Sequence, residues 1–206
     1  MSVPNLQPAG RVQLRKSQMQ RLESLVTVCL DHLGWEPRGL EVDPDGGHLR
    51  AELPAHFGGQ RCSTWIDTLE DADAVLFTVY APFELRPERF EQACLMLNEL
   101  GGATVWGTFR LDMDDGSLSY DATVRFPASD ACSPEGVWNL LRNGAGEFER
   151  WFGALEQLAT TGRSAQEILA AHANAQADKP EDELDDDFVS YDAAAGLFLD
   201  CGKELQ

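Results

Sequence analysis

Three segments of the chain carry apolar residues at every third or fourth position, which is the spacing of a helix that buries one face. They run from Leu22 to Leu33, from Phe90 to Leu97 and from Val137 to Leu155. The inward stripe of the second helix is expected to comprise Phe90, Ala93, Cys94 and Leu97.

Two features modify the later helices. Gly144 and Gly146 lie inside the third helical pattern, where glycine is a poor helix former, and they predict a kink or break. Ser164 followed by Glu167 is a capping-box pattern, in which each side chain satisfies a backbone donor of the other residue. It predicts a short fourth helix that ends near Ala177.

Between these helices, runs of β-branched and aromatic residues predict strands. Two are short runs on either side of a Pro-Asp-Gly-Gly turn, and the others are longer and more regular. The runs are Leu40 to Val42, His48 to Leu53, Arg61 to Leu69, Ala74 to Phe83, 104 to 112 and 117 to 126. We therefore expect an α+β fold, with an antiparallel sheet of about five strands and helices in the order α-β-β-β-α-β-β-α.

The segment LDMDDGSLSY, residues 111 to 120, raises the question of a calcium site because it contains three aspartates and a glycine. An EF-hand loop requires glycine at position 6 and glutamate at position 12. Counted from Asp112, these positions hold Ser117 and Thr123. The flanking residues alternate between apolar and polar, so the pattern favours two strands joined by an Asp-Gly turn.

The charge of the chain is strongly acidic, with 35 acidic and 16 basic residues and a net charge of −19. Ten of the acidic residues lie between Ala171 and Gln206. Such a surface repels phosphate backbones and anionic headgroups, which argues against direct binding of nucleic acid or membranes. It would attract a basic partner.

The five cysteines form no CxxC pair, and several have apolar neighbours. They are expected to be buried free thiols in a reducing compartment. The N-terminal residues contain no apolar signal core, and no stretch is long and apolar enough for a membrane span. The sequence therefore predicts a cytoplasmic protein.

Motifs of catalysis and cofactor binding are missing from the sequence, including GxSxG, HExxH, the P-loop and GxGxxG. His48, His56 and Cys62 could converge on a metal ion across a sheet edge, but scattered histidines and cysteines are usually structural. No catalytic, cofactor-binding or metal-binding residue is assigned, and a small enzyme or metal protein is the least favoured interpretation.

Strand alternation identifies a more promising surface. If Val105, Phe109 and Leu111 face the helices, their neighbours on the strand face the opposite side of the sheet. The same alternation places every second residue of the two preceding predicted strands on the side of the sheet away from the helices. The predicted partner- or dimer-binding residues are Trp65, Leu76, Tyr80, Trp106 and Arg110. Because this surface is so apolar, we expect it to be covered by a second copy of the chain, by the chain's own tail or by another protein.

The segment from Leu97 to Phe126 carries a combination of positions that resembles the YbjN family. The pattern consists of Leu97-Asn98, then Gly107-x-Phe109-x-Leu111-Asp112, and after the turn Gly116-x-Leu118-x-Tyr120. The resemblance extends over roughly residues 17 to 162. It implies a fold like that of type III secretion chaperones, which are small acidic homodimers that bind segments of client proteins without catalysis.

The resemblance and the composition divide the chain into four parts. Residues 1–16 are expected to be a flexible arm, 17–162 the YbjN-like domain and 163–177 an additional helix. Residues 178–206 combine an acidic linker with an apolar tail.

The favoured function is therefore a non-enzymatic, chaperone-like or adaptor protein. An acidic homodimer would bind another protein through its apolar sheet face. The client would be basic or would expose an apolar segment, and nucleic-acid-handling proteins are one such class. The alternative is a regulator whose tail, Phe188 to Cys201, covers the same face.

Overall fold

The structure is a computed structural model that describes residues 21–31, 38–42, 49–69, 72–126 and 134–177. The predicted N-terminal arm, the turn at residues 43–48 and the acidic tail from residue 178 onward lie outside the described residues.

The described chain folds into a single antiparallel sheet with helices. The elements are α1 (21–31), β1 (Arg38–Val42), β2 (Leu49–Phe57), β3 (Gln60–Leu69), β4 (Ala74–Glu84), a 3-10 turn (Pro87–Arg89), α2 (Phe90–Ala103), β5 (Gly107–Leu111), β6 (Ser117–Arg125), α3 (Pro134–Thr160) and α4 (Ala165–Ala177). The strand order is β1-β2-β3-β4-β6-β5. The predicted α+β class is confirmed, with six strands instead of about five.

The hairpin of β2 and β3 is longer than the sequence pattern predicts. Strand β2 continues past Pro54 to Phe57, and Gly58 and Gly59 form the turn with φ angles of +55° and +76°. Glycine adopts these angles without steric cost. The carboxylate of Glu149 on α3 accepts a hydrogen bond from the Gly58 N–H at 3.1 Å. The turn is therefore tied to the helix that packs on the sheet.

The hydrophobic core lies between one face of the sheet and the helices. Phe148 of α3 is at its centre, with ring centroids 4.9 Å from Phe57, 6.1 Å from Phe109 and 6.2 Å from Tyr120. These aromatic residues come from three different strands, and all of them are buried. One helix thus covers the sheet from β2 to β5.

Helix α3 is continuous through its two internal glycines, so the break expected at Gly144 and Gly146 is wrong. A Cβ atom on Gly144 would lie 2.9 Å from Cδ1 of Phe77 and 3.2 Å from Cβ of Ala122. The glycine therefore allows the helix to approach the central strands closely. Packing against the sheet outweighs its poor helix propensity.

Helix α2 is rotated relative to the predicted stripe. Its buried residues are Ala93, Met96 and Leu100, whereas Cys94 is exposed. The expectation that Cys94 is an inward-facing thiol is wrong. Helix α2 contacts both β5 and α4, and these neighbours decide which of its positions are buried.

The two local predictions about turns and caps are confirmed. Ser164 Oγ accepts a hydrogen bond from the Glu167 N–H at 3.3 Å, and Glu167 Oε2 accepts one from the Ser164 N–H at 2.8 Å. In the β5–β6 hairpin, the carboxylate of Asp115 accepts a hydrogen bond from the Ser117 N–H at 2.8 Å, which lowers the pKa of Asp115. The acidic loop therefore forms a hairpin turn with Gly116 at φ +79°.

Candidate functional site

The side of the sheet opposite the core is the candidate functional site, and we call it the open face. It carries the even-numbered residues of β2, β4 and β5, together with the odd-numbered residues of β3 and β6. Strand pairing aligns Trp65 with Thr78, Thr78 with Asp121 and Asp121 with Thr108. Side chains from four strands thus form one row.

Four of the five predicted binding residues lie on this face. Tyr80 is 37% exposed, and the side chain of Arg110 is 68% exposed. Both align with Ser119 of β6, so they lie in the same row. Trp65 and Leu76 are half-buried.

Trp65 is partly covered by its neighbours. The guanidinium carbon of Arg50 lies 4.4 Å from the centroid of the Trp65 ring, and the indole N–H donates to Ser63 Oγ at 2.9 Å. Arg50 also forms an ion pair with Asp67, with an Nε to Oδ1 distance of 3.6 Å. One face of the indole is therefore occupied by an arginine that can itself present charge to a partner.

Arg110 is held in place by a short polar chain across three strands. Its Nε lies 3.0 Å from Oδ2 of Asp121, and Asp121 Oδ1 accepts a hydrogen bond from the Thr78 hydroxyl at 2.9 Å. Asp121 is mostly covered, whereas the guanidinium remains exposed. The chain fixes a cation at the β5 side of the open face.

Trp106 lies one residue before β5, so strand alternation does not determine its side of the sheet. It is 50% exposed, while its neighbour Val105 is 83% exposed. The prediction that Val105 faces the helices is therefore wrong, because the strand begins only at Gly107. Trp106 is exposed at the start of β5, the edge strand of the described sheet.

Glu147 of α3 explains why the strand begins so late. Its carboxylate accepts hydrogen bonds from the N–H groups of Val105 at 2.6 Å and of Trp106 and Gly107 at 3.2 Å each, and from the phenol of Tyr120. Burial and this bond raise the pKa of Tyr120. Sequence reasoning missed Glu147, because its hydrogen-bond partners lie 27 or more positions away in the chain.

The charge of the open face differs from that of the whole chain. In strands β2 to β6 its charged side chains are those of Arg50, Arg61, Arg110, Arg125, Glu52, Asp67, Glu84 and Asp121. Arginines and carboxylates are therefore equal in number here, four of each, although the chain has 35 acidic and 16 basic residues.

The described residues contain no group of three or more histidine, cysteine, aspartate and glutamate side chains that could hold a metal ion. His56 is exposed on the open face, whereas Cys62 is buried on the core side, so these two candidate ligands point to opposite sides of the sheet. His48 lies outside the described residues. Among the described helices, none combines the length and the hydropathy that a bilayer crossing requires.

A family model matches residues 24–157, which reach from α1 almost to the end of α3. Its description reads "YbjN: Putative bacterial sensory transduction regulator". The chain belongs to the YbjN family. The strands β2 to β6 that form the open face lie entirely within the YbjN match, whereas α4 follows it.

Solved structures are similar to the described fold. The crystal structure of YbjN from E. coli, "a putative transcription regulator", matches with a TM-score of 0.52 at 18% identity, over 66% of this chain and 92% of that one. The HopA1-SchA chaperone-effector complex matches with a TM-score of 0.42 at 13% identity, over 64% of this chain and 93% of that one. No curated protein matches the chain.

Proposed function

We propose that this YbjN-family protein is a non-enzymatic binding module whose open face, with Trp106 at its edge, takes up a segment of another protein. The observation that carries the proposal is the exposure of Tyr80 on a sheet surface that the described helices leave uncovered, with Trp106 exposed at the start of the edge strand β5. The family description, a sensory transduction regulator, supports a protein that acts through partners.

The residue types of the open face suit this role. Tyrosine, tryptophan and arginine contribute most of the energy of typical protein interfaces, since each combines a large contact area with a polar group. Tyr80, Trp106 and the fixed Arg110 supply one of each. The neighbouring hydroxyl groups of Ser63, Ser119 and Thr123 can donate hydrogen bonds to the backbone of an extended partner segment or accept them from it.

The charges of the open face also narrow the chemistry of the partner. Because arginines and carboxylates are equal in number there, we propose that the bound segment is mainly apolar and carries little net charge. A basic client, such as a nucleic-acid-handling protein, would be attracted by the acidic remainder of the surface. The two classes of segment therefore differ in where they would bind.

Peptide binding tests this proposal directly. The probe is a set of short peptides with paired leucine or phenylalanine residues on a serine background, made in acidic, neutral and basic versions. We expect Tyr80→Ala and Trp106→Ala to weaken binding by about tenfold or more, the loss typical of an interface anchor. Leu95→Ala is the matched control, because Leu95 is 54% exposed on α2, away from the open face.

Two results would contradict the proposal. One is equal binding by the wild-type protein and both aromatic variants, and the other is an equal loss in the Leu95→Ala control. Preference for the basic peptides would contradict the proposed partner chemistry.

The homodimer implied by the family resemblance remains a prediction, and light scattering tests it against the chain mass of 22.7 kDa. If Trp106→Ala converts a dimer into a monomer, the exposed residues form a dimer seam and the client-binding proposal fails.

A further inference from the structure

Strand β5 lies at one edge of the sheet, and in the described part of the chain no strand pairs with its outer side. The turn after β5 shows how its backbone is oriented. The Asp112 N–H donates to the Ser117 carbonyl oxygen at 2.9 Å, and the Asp112 carbonyl oxygen accepts a hydrogen bond from the Gly116 N–H at 2.9 Å. Because the backbone groups of successive strand residues point to opposite sides, those of Phe109 and Leu111 point away from β6. Strand β5 therefore presents main-chain donors and acceptors at its outer edge.

Exposed apolar side chains are concentrated at the two ends of this strand. Val105 is 83% exposed, Trp106 is 50% exposed and Met113 is 56% exposed. They are three of the six large apolar side chains that are exposed among the described residues. Apolar side chains beside an edge of outward-pointing main-chain groups are typical of a sheet that accepts a further strand.

The strand at the other edge of the described sheet is less regular. The register of β1 against β2 shifts between Arg38 and Glu41, and such an irregularity disturbs the row of backbone groups along a strand. Strand β5, by contrast, keeps a regular register with β6 along its whole length. The Gly107 N–H is bonded to Glu147, so a further strand would pair with the rest of β5.

We infer that an extended segment of another protein adds to the sheet as a strand beside β5, antiparallel like every described strand pair. This inference rests on the proposed function and deepens it, because it names how the client segment is held and which sequence pattern it has. Its side chains opposite Phe109 and Leu111 would lie on the core side of the sheet, where α2 contacts β5. Those opposite Thr108 and Arg110 would lie on the open face. The segment should therefore alternate apolar residues with small polar ones.

The charges of β5 favour a neutral segment over a second copy of the chain. Arg110 is the charged residue of β5, and its Nε already lies 3.0 Å from Oδ2 of Asp121. If two β5 strands paired antiparallel about Phe109, the Arg110 side chains of both copies would lie on one side of the sheet at diagonal positions, about 7–8 Å apart. Like charges at this distance repel each other, whereas a serine or threonine of a client segment at the same position does not.

Amide hydrogen exchange of the full chain, resolved by NMR, tests whether this edge is open. In the free protein the amides of Phe109 and Leu111 should exchange fast. Those of Thr108 and Arg110 point to β6 and should exchange slowly, which makes them the control within the same strand. The probe is a neutral peptide in which leucine and serine alternate. At ten times its Kd, it should slow the exchange of Phe109 and Leu111 about tenfold.

Other occupants of the edge would overturn the inference. Slow exchange of Phe109 and Leu111 in the free protein that becomes slower at higher protein concentration would show that a second copy pairs with β5. Slow exchange that does not depend on protein concentration would show that another segment of the same chain covers the edge.

Backbone methylation of the peptide tests how it binds. In an added antiparallel strand, the residues opposite Phe109 and Leu111 direct their N–H groups toward β5, and these are the leucines. N-methylation of the leucine amides should weaken binding about tenfold or more, because several main-chain hydrogen bonds are lost. The matched control has the same number of methyl groups on the serine amides, which point away from β5, and should bind almost as well as the unmodified peptide. Equal affinity of the two methylated peptides, or a greater loss from methylated serines, would overturn the inference.

Variants of the open face separate failure of this inference from failure of the proposed function. If Tyr80→Ala and Trp106→Ala weaken peptide binding while both methylated peptides bind alike, the proposed function stands and strand addition fails. If only methylation of the leucines weakens binding and both variants bind as the wild type does, strand addition is supported and the aromatic residues are not the anchors.

Discussion

The phenol of Tyr120 on β6 donates a hydrogen bond to the carboxylate of Glu147 on α3. Tyr120 is fully buried, and the same carboxylate holds the N–H groups of residues 105 to 107. An unpaired polar group reduces the free energy of unfolding most when it is buried, because water cannot replace the lost partner. Glu147 therefore links the core to the loop that carries Trp106.

Replacing Glu147 by alanine should destabilise the fold by about 2–3 kcal/mol, because several donors lose a charged acceptor at once. Glu147→Gln should have an intermediate effect, since its amide oxygen still accepts one or two of these bonds. Urea unfolding measures both changes. Glu99→Ala, at an exposed position of α2, should stay within about 0.5 kcal/mol of the wild type. An unchanged midpoint for Glu147→Ala would contradict the structure of this loop.

Replacement by alanine should change the stability of the protein in opposite directions at two glycines of α3. A Cβ atom at Gly144 would meet the buried ring of Phe77 at 2.9 Å, so Gly144→Ala should destabilise the protein by about 1–2 kcal/mol. At Gly153 nothing lies within 4 Å, and Gly153→Ala should stabilise it by about 0.5–1 kcal/mol through helix propensity. Thermal or urea unfolding distinguishes them. Stabilisation by both changes would show that α3 does not press on the sheet at Gly144.

Alkaline pH should weaken the fold through two buried thiols. Burial raises the pKa values of Cys29 and Cys62 from 9.0 to about 12. Between these two pH values each thiol keeps its proton in the folded protein and loses it in the unfolded chain. The free energy of unfolding therefore has its full value below pH 9 and declines as the pH rises toward 12. The expected loss is about 1 kcal/mol per thiol between pH 8 and pH 10. In Cys29→Ala the urea midpoint should depend less steeply on pH over this range, and an unchanged slope would contradict the assignment.

Thiol labelling should distinguish the three described cysteines. Cys94 is exposed, so it should react with a maleimide in the native protein, whereas Cys29 and Cys62 should react only in denaturant. Peptide mapping by mass spectrometry assigns each modified residue. Native labelling of Cys62 at the rate of Cys94 would mean that the β2–β3 hairpin opens readily.

Features set by residues close together in the chain could be predicted from the sequence. The capping box of Ser164 and Glu167 and the β5–β6 hairpin are examples, since their hydrogen bonds connect residues within a few positions. Strand alternation also placed Tyr80 and Arg110 on the outer side of the sheet correctly. Their role in binding stays a prediction.

Features that depend on distant contacts could not be predicted in this way. Val105 has the spacing of an inward strand residue, but Glu147, 42 positions later, holds its backbone outside the strand. The sequence pattern predicted that β2 ends before Pro54, because proline usually interrupts a strand. This predicted end was too early. For Cys94, the helical spacing was correct but the orientation of α2 was set by its packing against other elements.

The position of α3 in the chain has a consequence for synthesis of the protein. All six strands in the described part of the chain precede this helix, which covers the apolar side of β2, β4 and β6. A ribosome must therefore translate beyond Thr160 before Phe77, Phe109 and Tyr120 acquire their cover. Chains released earlier expose the apolar side of the sheet, and folding is completed only after α3 has emerged from the ribosome.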